Sequence, residues 1–277
     1  MSGGSPNRNT MRNKNRNNNS TRKHGGGVKI VVMTRFSVYS HGSSMLKNTQ
    51  KNIKNDNTYL SRIYDPARLD AKMKAFKNIT LPSILSQSYK NLVWNIYTSP
   101  QLPEKYMNML KGLIKDPRIH LKIVNNMDQA NGDYGRQLKK YSKYISVRLD
   151  DDDGLHPQYF KLLAKSYKPG QILNPSHGLK ITLSDKEPGK MICTKFTRTF
   201  AASGLAYANG NVISIGNHTK VHEKFDKSKI TTFPHRELTL FTVHGFNLSK
   251  ATIAENSVKM TRPIKEYMSQ TLLKIPV

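Results

Sequence analysis

Across residues 28–149, short β-branched or apolar runs alternate with stretches whose apolar residues recur at helical spacing. That alternation restricts the chain to a mostly parallel sheet flanked by helices. Residues 28–33 follow three glycines and read as a buried first strand. Asp65-Pro66 reads as an N-cap and a first helical proline ahead of Leu69, Met73, Phe76 and Ile79. Leu81-Pro82-Ser83 opens a second helix, 92–97 is a second strand, 102–114 a third helix and 119–124 a third strand. The interval from Thr34 to about Asn57 reads as a polar loop. Asn131-Gly132-Asp133 reads as a turn feeding a helix over 134–141, which leads to a strand over 144–149.

That strand ends in Asp150-Asp151-Asp152-Asp153-Gly154, at the sheet edge where parallel α/β folds bind ligands. Adjacent like charges repel, and a cluster of hard oxygen ligands is relieved best by a divalent cation such as Mg²⁺ or Mn²⁺. A calcium loop of the EF-hand type is excluded. Such a loop needs an oxygen ligand at its first position and Glu at its last, and here Leu149 and Phe160 stand there. The expectation is a metal-dependent site for a phosphorylated substrate, most naturally a nucleotide-sugar. Arg35, Arg68, Arg136 and Arg148 are candidates for its phosphates or base, because guanidinium offers forked donors to oxyanions.

After His156-Pro157 a helix is expected over 158–167, then short strands at 171–173, 178–183, 191–196, 206–208 and 212–215, with a further strand at 238–241. Turns such as Glu187-Pro188-Gly189 separate them, so the second half reads as antiparallel. The division expected is a disordered basic tail over 1–27, a nucleotide-sugar half over 28–155, a mixed or antiparallel acceptor half over 156–250, and a helical extension over 251–277.

The chain carries 45 Lys and Arg against 18 Asp and Glu, a net charge of +27. Part of the excess is in the tail, where Arg8, Arg12, Lys14, Arg16, Arg22 and Lys23 stand among Asn, Ser and Gly without an acid. Such a balance attracts nucleotides and also nucleic acid, so a basic nucleic-acid-binding protein is one rival reading, with the tail as its binding segment. That rival leaves four clustered acids unexplained. A metal-dependent nucleotidyltransferase is a second rival. The single cysteine, Cys193, excludes an intramolecular disulfide and a cysteine-based zinc site. No apolar stretch approaches a spanning helix and no apolar leader precedes Val28, so a cytoplasmic protein is expected, and the sequons at Asn78, Asn217 and Asn247 carry little weight.

Three segments resemble the GT-A fold glycosyltransferases, and within them the rhamnosyltransferase family of bacteria and large viruses. Ser83-Ile84-Leu85-Ser86-Gln87-Ser88-Tyr89-Lys90-Asn91 is similar to the Ser-x-x-x-Gln-x-Tyr-x-Asn pattern of family 2 transferases. Gly135-Arg136-Gln137 followed by Arg148-Leu149-Asp150-Asp151-Asp152-Asp153 resembles the helix, strand and DxD element. His244-Gly245-Phe246-Asn247-Leu248-Ser249 looks like the His-Gly-x-Asn-x-Ser element near the end of that branch. With Thr34-Arg35-Phe36 and Asp65-Pro66-Ala67-Arg68-Leu69 the likeness covers roughly residues 28 to 250.

The resemblance implies a sugar transferred from a nucleotide-diphosphate donor to a hydroxyl of a glycan or glycoprotein acceptor, with inversion. It implies Asp150 at the donor, Asp152 on the metal with Asp153 in support, His244 as a further ligand, and Mn²⁺ or Mg²⁺ as the ion. For a member from a large virus it implies capsid glycan synthesis in the host cytoplasm. Inversion requires a general base, for which Glu223 and then Glu237 are the candidates from the second half. One departure stands out: many family 2 enzymes end the second strand in a base-binding Asp, whereas this chain has Tyr97-Thr98-Ser99.

Overall fold

The structure is a computed structural model. It describes residues 1, 27–40, 55–183, 190–197, 202–216, 220–233, 237–243 and 260–263, with backbone alone at 182–183, 190–196 and 260–263. β1 (Lys29–Arg35), β2 (Leu92–Thr98), β3 (Ile119–Ile123) and β4 (Tyr144–Arg148) lie parallel in the order β4-β1-β2-β3. Both faces of β1 are covered. Ile30 and Val32 pack with α2 (Pro66–Ala75), α3 (Leu81–Leu85) and α4 (Glu104–Leu113), while Val31 and Met33 pack with α5 (Met127–Leu138). That double burial is why the strand is a continuous apolar run.

The polar interval after β1 contains a helix that was not expected, α1 (Asp56–Ile63). Asn55 caps it by accepting from the Thr58 N–H at 2.9 Å, and Tyr59 and Ile63 are its buried residues. α2 and α3 form one helical run joined by a π-turn, Phe76–Thr80, which buries Phe76, Ile79 and Thr80. α5 starts at Met127, about one turn before Asn131-Gly132-Asp133, so the turn expected there is helix interior. Asn126 caps it through the Gln129 N–H, and the buried stripe Met127, Ala130, Tyr134 and Leu138 outweighs the poor propensity of Asn and Gly.

Past the aspartates the order is β5 (Gly154–Leu155), α6 (Tyr159–Lys165), β6 (Ile172–Pro175), β7 (His177–Leu183), β8 (Lys190–Thr197), β9 (Ala206–Ala208), α7 (Val221–Lys224), β10 (Ile230–Phe233), β11 (Thr239–Val243) and β12 (Met260–Pro263). The first sheet continues into this half as β10-β6-β9-β4-β1-β2-β3, with β9 alone antiparallel, while β12-β8-β7-β11-β5 form a second sheet. The expected α/β fold with a mostly parallel sheet is therefore what the chain adopts. The division at residue 155 does not separate the sheets, since β6, β9 and β10 complete the first.

Residues 212–215 form a 3₁₀ turn and not a strand. β4 is already paired on both sides, and the turn is fixed by Asn211 on the Ile213 N–H (3.0 Å) and by the Val212 N–H on Ser146 Oγ (2.9 Å). Within the expected helical extension, 260–263 is a strand antiparallel to β8, as suits a segment containing Thr261 and Pro263. The rest of that extension, and the basic tail at 2–26, lie outside the described residues. Among the described residues no helix is long and apolar enough to cross a membrane.

Several contacts fix where β4 delivers the acidic run. The Leu149 N–H donates to Met33 O at 3.0 Å, and the Gly204 N–H donates to Arg148 O at 2.8 Å. Gly204 sits at φ +81°, accepts from the Tyr159 hydroxyl at 2.5 Å, and would place a Cβ 2.9 Å from Thr239 Cγ2. Asp151 is held from the helix side: its carbonyl accepts from Thr80 Oγ1 at 3.0 Å, and its carboxylate meets Lys72 Nζ at 2.6 Å. Both side chains of that ion pair are below a tenth exposed, at 9% and 6%.

Two outcomes follow in denaturation experiments. Lys72→Met strands the Asp151 charge in the interior and is expected to cost about 3–5 kcal/mol, most of which the double variant Lys72→Met/Asp151→Leu recovers. Gly204→Ala combines a left-handed backbone with a clash and is expected to cost about 1–3 kcal/mol, with a lowered melting temperature; an unchanged midpoint would contradict this packing.

Candidate active site

The four aspartates leave β4 in a tight turn, the Asp153 N–H donating to Asp150 O at 3.3 Å, and each carboxylate enters a different environment. Asp150, 31% exposed at its side chain, lies between two guanidiniums carried by neighbouring strands: Arg35 Nη2 at 3.4 Å and Arg148 Nη2 at 3.3 Å. Burial alone would raise its pKa, but Arg148 and then Arg35 overcome this and hold the carboxyl far below the usual carboxylate range. Burial, and next the like charge of Arg148, lowers Arg35 in turn. One carboxylate between two guanidiniums leaves this cluster with a net positive charge, which suits an anionic group.

Asp151 points the other way, into the pair with Lys72. Burial raises its carboxyl, and the Lys72 charge opposes that. Asp153 is buried, and its Oδ1 accepts from the Thr242 N–H of β11 at 2.9 Å. Burial first, then the charges of Asp152 and Asp150, push it well above the ordinary range. Asp152 is half-buried. The run is thus partitioned, with Asp150 between the guanidiniums, Asp151 on Lys72 and the buried Asp153 on the backbone of β11.

Of the other expected site residues, Arg35 and Arg148 are brought to Asp150. Arg68 is buried on α2, where its Nη1 donates to Ile63 O at 2.6 Å and reaches Ser37 Oγ at 3.4 Å. It braces the end of α1 against the segment after β1, and its positive charge acts on Asp151. Arg136 is 69% exposed on α5 and pairs with Asp133 at 3.5 Å. Asp133 in turn accepts from the Tyr97 hydroxyl at 2.8 Å, so the strand end that lacks an Asp reaches one on α5.

Glu223, on α7, is half-exposed and pairs with Lys220 at 3.0 Å. Glu237 stands just before β11, next to Leu238, whose carbonyl accepts from the His156 N–H at 2.9 Å; this is the opposite end of β11 from Thr242. Glu223 is thus engaged by a surface lysine. His244 lies outside the described residues.

Lys72, Thr80 and Thr242 were not anticipated as partners of the run. Lys72 carried a signal, since it follows Arg68 by one helical turn beside the apolar stripe of Leu69 and Met73. Thr80 depends on the π-turn, and Thr242 acts through its backbone, which side-chain chemistry does not reveal. The residues of the Ser-x-x-x-Gln-x-Tyr-x-Asn pattern also have structural partners. The Gln87 side chain donates to His156 O (2.9 Å) and accepts from the Phe160 N–H (3.0 Å), so it clamps the segment leaving the run. Tyr89 donates to Val28 O at 2.6 Å and Asn91 to the same carbonyl at 3.1 Å, fixing the start of β1.

No protein of curated function matches the sequence. Among solved structures the chain is similar to S. aureus TarS 1–349, at 9% identity over 78% of this chain and 60% of that one, with a TM-score of 0.43. It is similar to the same protein in complex with UDP-GlcNAc, at 11% identity over 82% of this chain and 62% of that one, with a TM-score of 0.44. The chain thus spans about three fifths of the length of these TarS chains. The model of the family described as "Putative rhamnosyl transferase" matches residues 29–256, which is most of the sequence, and the chain belongs to that family of glycosyltransferases.

Proposed function

We propose that the chain moves a sugar from a nucleotide-diphosphate donor to a hydroxyl of a glycan or glycoprotein acceptor, with inversion, using Mn²⁺ or Mg²⁺ at Asp152 and Asp153. The observation that carries this reading is the unequal partition of the aspartates. Asp150 lies between two guanidiniums and Asp151 is buried against Lys72, whereas Asp153 is held by the Thr242 N–H next to the half-buried Asp152.

The described residues hold no cluster of three or more His, Cys, Asp or Glu ligands. An ion of the Mg²⁺ type takes one or two carboxylates and completes its shell with water and substrate phosphates, so the proposed site asks no more of the described residues than Asp152 and Asp153. The raised proton affinity of Asp153 fits as well, because like carboxylates crowded in a buried turn favour a proton or a cation. When bound, the ion supplies charge neutralisation to the departing diphosphate.

The chain's own residues do the rest. Arg35 and Arg148, aligned by Asp150, present their remaining N–H groups to phosphate oxygens at the carboxyl edge of the sheet. Lys72 and Thr80 hold Asp151 and so fix the direction in which Asp150 and Asp152 face. The acceptor's proton goes to a carboxylate of the second half. Glu237 is the assignment here, because it leads into β11, the strand whose Thr242 N–H holds Asp153, whereas Glu223 lies on α7 in a pair with Lys220.

Two experiments test the scheme. A thermal-shift screen of UDP-, GDP-, dTDP- and CDP-sugars with Mn²⁺ should reveal a stabilising donor, roughly 2–3 kcal/mol at a hundredfold excess over Kd. Asp152→Ala should abolish both that shift and donor turnover; full activity in Asp152→Ala would sink the metal assignment. Glu237→Gln is expected to lower kcat by about 10²–10⁴ while keeping the donor-induced shift, with Glu223→Gln near wild type. The reverse pattern would move the base to Glu223.

A further inference from the structure

Six strands of the first sheet, β1, β2, β3, β4, β6 and β10, run in one direction and are therefore all entered from one edge, opposite the aspartates. Each entrance carries a lysine at the strand's first residue or at most four residues before it: Lys29, Lys90, Lys115, Lys143, Lys168 and Lys229. All but Lys29 are exposed. The entrances are contiguous, since the Lys29 N–H donates to Lys143 O at 2.9 Å, the Trp94 N–H to Arg118 O at 2.9 Å, and Gln171 Nε2 to Ser228 O at 3.2 Å. Lys139 and Lys140, exposed at the end of α5, add to the same edge, and Lys140 stands near His120.

The carboxylates described on these entering segments are both engaged locally. Asp116 takes Arg118 in a forked pair, at 2.9 and 2.5 Å, and Asp226 accepts from the Ser228 N–H at 2.7 Å. A second observation is independent of the fold. The chain comes into β1 through Gly27, which touches Asn91 on this edge, and the 27 residues up to that point carry six Lys or Arg and no acid. The tail's charge is thus joined covalently to the lysine edge.

We propose that this edge is a docking surface for an anionic lipid bilayer. The cations are lysines, strongly hydrated point charges suited to diffuse attraction by a charged interface. The features that nucleic-acid recognition favours are spent inside the protein. Arg118 is bound to Asp116, the hydroxyls of Tyr89 and Tyr167 bond Val28 O (2.6 Å) and Asn209 Oδ1 (3.0 Å), and the Tyr141 ring lies under Lys29 at 5.6 Å. Docked in this way, the chain turns the aspartates away from the lipid by roughly 20 Å, the length of the strands between the two edges.

The test is co-sedimentation of the full chain with phosphatidylcholine vesicles, with and without about 30% phosphatidylserine, in about 0.1 M salt. Binding is expected to the anionic vesicles only, and Lys139→Glu/Lys140→Glu/Lys143→Glu should weaken it about tenfold or more with the melting temperature and donor turnover unchanged. Absence of binding to anionic vesicles would overturn the proposal. So would binding that the triple reversal leaves intact but Arg8→Gln/Arg12→Gln/Arg16→Gln removes. Tighter binding to a DNA duplex than to vesicles, lost in the triple reversal, would assign the edge to nucleic acid instead.

Discussion

Four consecutive carboxylates cannot share one environment, and the way this fold separates them determines much of the local architecture. Two unit charges 4 Å apart repel by about 4 kcal/mol at an effective dielectric of 20, so each neighbour must be given a different compensation. β1 and β4 supply guanidiniums to Asp150, α2 supplies Lys72 to Asp151, and β11 supplies a backbone N–H to Asp153. Three elements distant in sequence are therefore committed to one turn. Asp152 is the half-buried member of the run.

The same arrangement explains why the segments around the run are packed so closely. Gly154 has Ile79 of the π-turn within 3.1 Å of a would-be Cβ and Leu240 within 3.3 Å, so a side chain there would fit only if these neighbours gave way by a few tenths of an ångström. The π-turn that brings Ile79 to Gly154 also brings Thr80 to Asp151. Gln87 then clamps His156 and Phe160 just beyond. A residue pattern that marks a transferase family thus works here through the backbone around the acidic run.

Much of this was legible in the sequence. The strand and helix alternation announced the parallel sheet, and the acidic run after an apolar strand pointed to the candidate site, because both are written in residue periodicity and local charge. Arg35 and Arg148 were legible for the same reason, each ending a strand at the edge where ligands bind. What escaped detection depended on tertiary burial. The N-terminal part of α5 contains Asn131 and Gly132, poor helix formers that the buried Met127, Ala130 and Tyr134 override. The 3₁₀ turn at 212–215 has strand-like residues, but both edges of β4 were already taken. Lys72 looked like one more cation on a basic helix until its partner was folded against it.

The charge of +27 also bears on the site, and here distance decides. A strongly positive chain draws anionic nucleotides toward it, yet the same field opposes the approach of a divalent cation. At physiological ionic strength the Debye length is about 8 Å, so the lysine edge, roughly 20 Å from the aspartates along the strands, is largely screened there. What acts on the turn is local. Arg35 and Arg148 stand within 3.4 Å of Asp150 and would repel a cation, whereas Asp152 and Asp153 attract one, and Lys72 is masked by Asp151. In the proposed reaction the turn would be polarised over a few ångströms, with the guanidiniums taking the anion and the last two acids taking the cation. A diphosphate and a divalent ion approaching together satisfy both sides at once, which a lone phosphate or a lone metal does not.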